Sequence, residues 1–366
     1  MVQNLETGVR PGTPRAQLFS IQYLRGLAAL SVLITHVLQW PLGKMDFVFL
    51  KTGRFGVEVF FVISGFIITI IAGQGQFNPR EFLNRRAFRI VPAYWTATFL
   101  VAALAIAMPS QFRTTVPTIE GLLKSLVFIP SQEPKAPLLL LGWTLNFEAF
   151  FYVLFASLFF LKSGMRTIVV CGVIISLVII GQLVAEPSYV QAIYTSPSMF
   201  GFIAGTILAQ AYRRGLIANL GQYARWAVIA APVALMFAFY AVSWEGADSI
   251  ALWKHVLMTF TALSLVLCAL SIEAWGKMPD IRALKFLGDR SYSIYLFHIF
   301  PVAAIWAVSK QLLDVHQPLA YLACATAAIG VSLTFGLICF YLIERPFLEA
   351  SRTRRRTASP VIDGVT

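Results

Sequence analysis

Charge is scarce in this chain of 366 residues: Asp, Glu, Lys and Arg together make up 13% of it. Soluble domains average about 25%. The shortfall excludes an ordinary water-soluble fold, because a chain of this size has too little interior to hide a sequence that is 58% hydrophobic. Cysteine is scarce too. The four present, Cys171, Cys268, Cys324 and Cys339, lie inside apolar runs. They read as small buried hydrophobes, and a disulfide scaffold is excluded. Histidine is limited to His36, His255, His298 and His316, with no HExxH and no ligand-like spacing to cysteine or carboxylate. No metal site is therefore expected. A P-loop, a GxGxxG turn and a GxSxG elbow are all missing, which leaves P-loop, dinucleotide and serine-hydrolase chemistry without support. No Gly/Ser linker marks a second domain. No internal repeat suggests a carrier built from two similar halves.

What remains is a series of apolar runs. They lie at about 21–42, 56–73, 91–109, 138–161, 166–184, 196–212, 226–244, 255–272, 291–309 and 319–343. Each approaches the roughly 17–25 residues that a membrane-crossing helix needs. The expected fold is an all-α polytopic membrane protein of about ten transmembrane helices. Residues 1–20 read as a polar, disordered cytoplasmic lead, 21–348 as the transmembrane domain and 349–366 as a basic cytoplasmic tail. The lead is not a signal peptide, since the run after it is too long and has no small-residue cleavage site.

The formal net charge is +12. In a soluble protein that would raise nucleic acid as a partner; between apolar runs it reads as orientation and contact with anionic lipid. Arg80, Arg85, Arg86 and Arg89 fill the second connection, Lys162 and Arg166 the fourth, Arg213, Arg214 and Arg225 the sixth, and four arginines the tail. Connections on the other side are poor in Lys and Arg. Both termini are therefore expected in the cytoplasm, in a bacterial inner membrane.

An ionisable residue inside a span is costly and suggests function. The first run, LRGLAALSVLITH, holds Arg25 and His36. Eleven positions put them about 20° apart around a helix and roughly 16 Å apart along it. Arg25 then lies near the cytoplasmic interface and His36 deeper. Arg25 is either a snorkelling anchor or a ligand for an anion. His36 is either a satisfied core histidine or a general base. In FGVEVFFVISGF, Glu58 sits at the non-cytoplasmic end as an interfacial carboxylate or a functional one. Ser64 and Gly65 allow either close helix packing or the passage of a thin ligand. In FLNRRAFRIVPAYW, Arg86 and Arg89 share a helix face, as do Arg85 and Arg89. They are either orientation charge or a bidentate clamp for polyphosphate. In WTLNFEAFFY, Glu148 lies among aromatics and needs a partner. An arginine would make it structural; His36 would make it the acid that orients a base. In FLGDRSYSIYLFH, His298 reads as structural, and in YLIERPF the Glu344–Arg345–Pro346 sequence reads as a helix stop.

Six such motifs, in this order over roughly residues 21–348, resemble the membrane acyltransferase 3 family. The first and fourth are most similar to its exopolysaccharide branch, of the succinoglycan acetyltransferase type. The resemblance implies ten spans with both ends inside, and transfer of an acetyl group from cytoplasmic acetyl-CoA to a carbohydrate hydroxyl. It maps the family's arginine–histidine pair to Arg25 and His36, its arginine pair to Arg86 and Arg89, its second-span motif to Ser64 and Gly65, and its acid to Glu148. One departure is Gln22, where many members have Asp. The expected site thus has His36 and Glu148 as catalytic groups, with Arg25, Arg85, Arg86, Arg89, Ser64 and Gly65 around the donor. The expected partners are acetyl-CoA as co-substrate, a glycan or lipid-linked oligosaccharide acceptor, and membrane lipid, with no nucleic acid. A transporter or flippase for a polysaccharide precursor is the competing class, since carriers also bury His, Arg and Glu. A passive subunit of a polymerase complex would have no use for Arg25 and His36 on one face.

Overall fold

In the computed structural model, residues 18–42, 52–73, 77–112, 115–131, 138–243, 252–315 and 317–358 are described. The expected lead, apart from its last residues, and the last residues of the tail lie outside them. All regular structure among the described residues is helical. In chain order the helices are α1 (Phe19–Leu42), α2 (Thr52–Ala72), α3 (Pro79–Ala107), α4 (Ile119–Leu126), α5 (Gly142–Ser157), α6 (Ser163–Leu183), α7 (Tyr189–Tyr194) and α8 (Phe200–Arg213). There follow α9 (Gln222–Ser243), α10 (Leu252–Ala274), α11 (Arg282–Asp289), α12 (Ser291–Phe297), α13 (Ile299–Leu312), α14 (Pro318–Cys339) and α15 (Arg345–Ala358).

Among the described residues, nine helical segments are long and apolar enough to cross a membrane, against the ten expected. The difference is the fourth run. Leu138–Leu141 form a turn closed by Gly142 N–H donating to Leu139 O at 2.8 Å, so α5 starts late. It ends at Ser157 after 16 residues, about 24 Å of rise against a hydrocarbon core of about 30 Å. The carbonyls freed beyond its end are met by Arg166. Its guanidinium donates to Leu158 O at 3.0 Å, Phe159 O at 3.0 Å and Leu161 O at 2.8 Å, and lies 4.2 Å from the Phe77 ring centre. Arg166, expected as orientation charge, is also a buried cap, which meets the need of a helix end for hydrogen-bond donors.

Two further boundaries differ from expectation for clear reasons. The third helix begins twelve residues earlier than its apolar run. Asn78 caps it, its Oδ1 accepting from Glu81 N–H at 3.1 Å, and Pro79 occupies the first turn. Arg85, Arg86 and Arg89 therefore sit well inside the helix, consistent with the helix faces read for them from their spacing. At the other end, Glu344–Arg345–Pro346 stops nothing. A π-helical turn at Phe340–Glu344 absorbs the break, and α15 continues from Arg345. Pro346 then falls in the first turn of α15, where its missing N–H costs little.

Helix α2 is the centre of the bundle: 72% of its most apolar stretch is buried, against 11% for α9, which packs on α10 and turns Trp226, Val233 and Phe237 outward. The closest approach is between α2 and α8. A Cβ on Gly65 would run into the Phe202 carbonyl, and one on Gly205 into the Val62 carbonyl. Gly65 thus makes room for a helix, the small-residue packing common in membranes. Gly65→Ala is expected to cost about 1–3 kcal/mol of stability through overpacking. It should show as a lower melting temperature in detergent; an unchanged one would mean that the two backbones are not held this close.

Candidate active site

Four helices and one helix junction converge on a single cavity. Helix α1 brings Arg25, α2 brings Ser64, α3 brings Arg86 and Arg89, α5 brings Thr144, Glu148 and Tyr152, and the start of α12 brings Ser291, Tyr292 and Tyr295. The space between these side chains, with the open solvent at its mouth, is about 740 Å³. Its charged lining is three guanidiniums and one carboxylate, a net positive hole for an anion.

Each group is held by its helix in a definite way. Arg25 is 7% exposed, and its Nη1 donates to Gln22 Oε1 at 3.3 Å, one turn earlier. Gln22, where a carboxylate was noted as missing, orients the arginine without neutralising it. The Arg86 guanidinium lies 5.7 Å from the ring centres of both Phe82 and Tyr152, and its buried Nε has no partner among the described residues. Ser291 Oγ, also on the cavity and fully buried, has none either. Buried polar atoms are nearly always satisfied, so these two point to a ligand that completes them.

Glu148 is the one acid of the cavity. Ser64 Oγ donates to its Oε1 at 2.6 Å and Tyr152 OH to its Oε2 at 3.0 Å. Both oxygens are therefore engaged from α2 and from the next turn of α5. The cavity's far wall is Tyr295, whose hydroxyl pairs with Thr144 Oγ1 at 2.9 Å.

His36 is not on the cavity wall, and it does not meet Glu148. Its Nδ1 lies 3.0 Å from His298 Nε2 and 3.1 Å from Val32 O. His298, read from the sequence as structural, is its partner. The ring of His298 lies 6.2 Å from that of Tyr295, centre to centre, so the histidine pair stands directly behind the wall. The expected direct pairing of His36 with Glu148 is corrected by this geometry: the neighbour of α1 at that depth is the α12–α13 junction, not α5. Two other expected donor residues lie off the cavity. Arg85 pairs with Glu81 at 3.2 Å one turn back on α3, and Gly65 faces α8.

Sequence reasoning missed Thr144, Tyr152, Ser291, Tyr292 and Tyr295 as lining groups. All five stand inside motifs singled out for other residues, and a polar position facing its neighbours at helical spacing was the available signal. Glu58 and Glu344 are both buried carboxylates that do not line the cavity, although Glu344 lies close enough to Arg25 and Arg89 to interact with their charges. Glu58 accepts from Thr259 at 2.6 Å, and Glu344 from Ser293 at 2.6 Å. Glu58 is six residues from Ser64, about 120° around α2, which turns it towards α10.

The membrane-spanning helices thus gather three guanidiniums and one carboxylate around one cavity, with a histidine pair beside it. Residues 18–337 match the acyltransferase domain, and the chain belongs to the membrane acyltransferase 3 family. It is 38% identical to the exopolysaccharide production protein ExoZ of Rhizobium meliloti over 84% of this chain and 93% of that one. It is 24% identical to the peptidoglycan O-acetyltransferase OatA of Listeria monocytogenes over 89% of this chain and 55% of that one. The acyltransferase MdmB of Streptomyces mycarofaciens is also 24% identical, over 93% of this chain and 94% of its own. No solved structure matches the chain. The protein is a multi-pass membrane O-acyltransferase.

Proposed function

We propose that the protein moves an acetyl group from cytoplasmic acetyl-CoA to a hydroxyl of an exopolysaccharide, another envelope glycan or its lipid-linked precursor. The observation that carries this reading is the convergence of Arg25, Arg86 and Arg89 on one cavity. Guanidinium binds phosphate oxygens through paired charged hydrogen bonds, and coenzyme A is a thioester carrier with a polyphosphate end. The arginines hold that end at the cytoplasmic face. The pantetheine arm runs past Ser64, Glu148 and Tyr152 towards Tyr295. His36 Nε2 takes the proton from the acceptor hydroxyl as its oxygen attacks the thioester carbonyl. The new ester forms, the C–S bond breaks, and coenzyme A leaves as the thiolate, which takes up a proton. Glu148 keeps its charge and serves the donor side, holding Ser64 and Tyr152 in place and balancing part of the arginine charge.

The membrane is the bacterial inner membrane, with both termini in the cytoplasm, as the distribution of Lys and Arg supports. The glycan acceptor is supported by the similarity to ExoZ, an exopolysaccharide production protein, and to OatA, a peptidoglycan O-acetyltransferase. Deleting the gene and recording NMR spectra of the extracellular and envelope glycans tests the assignment. One set of O-acetyl signals should vanish and return with the wild-type gene. Glycans with unchanged O-acetylation would overturn it.

A further inference from the structure

His298 has no place in the chemistry described so far. It is fully buried at the junction of α12 and α13. The junction has a local cause. Pro301 has no N–H to give to Phe297 O, four residues back, so the helical ladder is interrupted there. The carbonyl of His298 accepts from Ser332 Oγ at 3.2 Å, which ties the junction to α14.

The hydrogen bonds around the ring can be read in only one order. His298 Nδ1 lies 2.7 Å from Tyr295 O and 3.2 Å from Ile294 O. Carbonyl oxygens only accept, so Nδ1 carries the proton. In a neutral imidazole the other nitrogen is then bare and accepts. That nitrogen, Nε2, lies 3.0 Å from His36 Nδ1, so His36 Nδ1 must be the donor. The second neighbour of His36 Nδ1 is Val32 O at 3.1 Å, again an acceptor, and demands the same proton. With its proton on Nδ1, neutral His36 has a bare Nε2. No hydrogen bond occupies that atom among the described residues.

We propose that His298 is the positioning residue that sets the tautomer of His36, leaving His36 Nε2 unprotonated and ready to take a proton. The control begins at the backbone carbonyl of Tyr295, passes through the His298 ring and ends on His36. The step needs no other partner: when Nε2 of His36 takes the hydroxyl proton, its Nδ1–H still points at the His298 lone pair, which shares the positive charge. This is the role the sequence assigned to Glu148, moved to a neutral ring. Tyr295 connects it to the donor, because its backbone oxygen starts the chain while its hydroxyl pairs with Thr144 on the cavity wall. The proposal rests on the reading of His36 as the base.

The test joins a spectroscopic readout to kinetics. In purified protein labelled with ¹⁵N-histidine, assigned with single-histidine variants, the His36 signals should be those of the Nδ1–H form. In His298→Leu they should move to a mixture with the Nε2–H form. In His298→Gln, which again offers an acceptor, the Nδ1–H form should return. The kcat of His298→Leu should fall by about tenfold to 10⁴-fold, the range over which histidines lose function when the partner that orients them or sets their tautomer is removed. Its KM for acetyl-CoA should stay unchanged, and His298→Gln should recover most of the rate. An Nε2–H form of His36 in the wild type overturns the proposal, and that single spectrum decides even if His298→Leu fails to fold. An unchanged His36 tautomer in a folded His298→Leu overturns it as well. An active His36→Ala would instead remove the reading of His36 as base, while the spectra would still settle which residue sets its tautomer.

Discussion

His36→Ala is expected to lower acyl transfer by about 10²- to 10⁴-fold, the usual contribution of a positioned general base. That corresponds to about 3–5.5 kcal/mol of transition-state stabilisation. Donor binding should hardly change. The cavity that holds Arg25, Arg86 and Arg89 does not include His36, which stands beyond Tyr295 in contact with His298. The loss should therefore fall on kcat and leave the affinity for acetyl-CoA near that of the wild type. Glu148→Gln is expected to act on the other side, by disturbing Ser64 and Tyr152 and hence KM for the donor. The two losses should then combine independently, because the two residues share no hydrogen bond. Radiolabelled acetyl transfer by monodisperse protein measures both. Activity of His36→Ala within tenfold of the wild type would remove His36 from the chemistry.

The arginine pair gives the second large effect. Arg86→Ala and Arg89→Ala each remove charged hydrogen bonds worth about 1.5–3 kcal/mol. Donor affinity should fall roughly tenfold to a hundredfold for each, and further in the double variant. Lysine should restore only part of it, since an ammonium cannot form the paired fork. Arg86 is also stacked on Phe82 and Tyr152, so its replacement loses packing as well as charge. Arg89 is the cleaner probe. Calorimetric titration with coenzyme A is the measurement. Unchanged affinity in a folded Arg86→Ala/Arg89→Ala protein would return both residues to a role in membrane orientation.

Most of the bundle could be read from hydropathy, because a membrane helix needs an uninterrupted apolar run and few other constraints act on it. Where the structure departs from that reading, local polar chemistry is the reason. The short α5 ends in carbonyls that Arg166 satisfies, and a side chain eight residues on cannot be seen in a hydropathy profile. The early start of α3 was written in Asn78 and Pro79, an N-cap and a first-turn proline. The reading overlooked them because the apolar run begins later. In the site, Arg25 and Glu148 were legible by their cost in an apolar span and Arg86 and Arg89 by their shared helix face, and the structure brings all four to one cavity. What the sequence could not reveal was which helices touch. Periodicity places His36 and Arg25 on one face of α1 but does not say whether α5 or the α12–α13 junction faces them. The result was the pairing of His36 with Glu148 in place of His298. Gly65 shows the same limit: its small size was legible, but not that the Phe202 carbonyl occupies the freed space.

The most direct measurement is acyl transfer by the purified wild-type protein in lipid nanodiscs, supplied with acetyl-CoA labelled in the acetyl group and with the glycans of a host lacking the gene. The account predicts release of free coenzyme A matched by an alkali-labile label on a glycan hydroxyl, both absent when His36→Ala protein is used. Folded wild-type protein that consumes no acetyl-CoA and leaves those glycans unlabelled would contradict it.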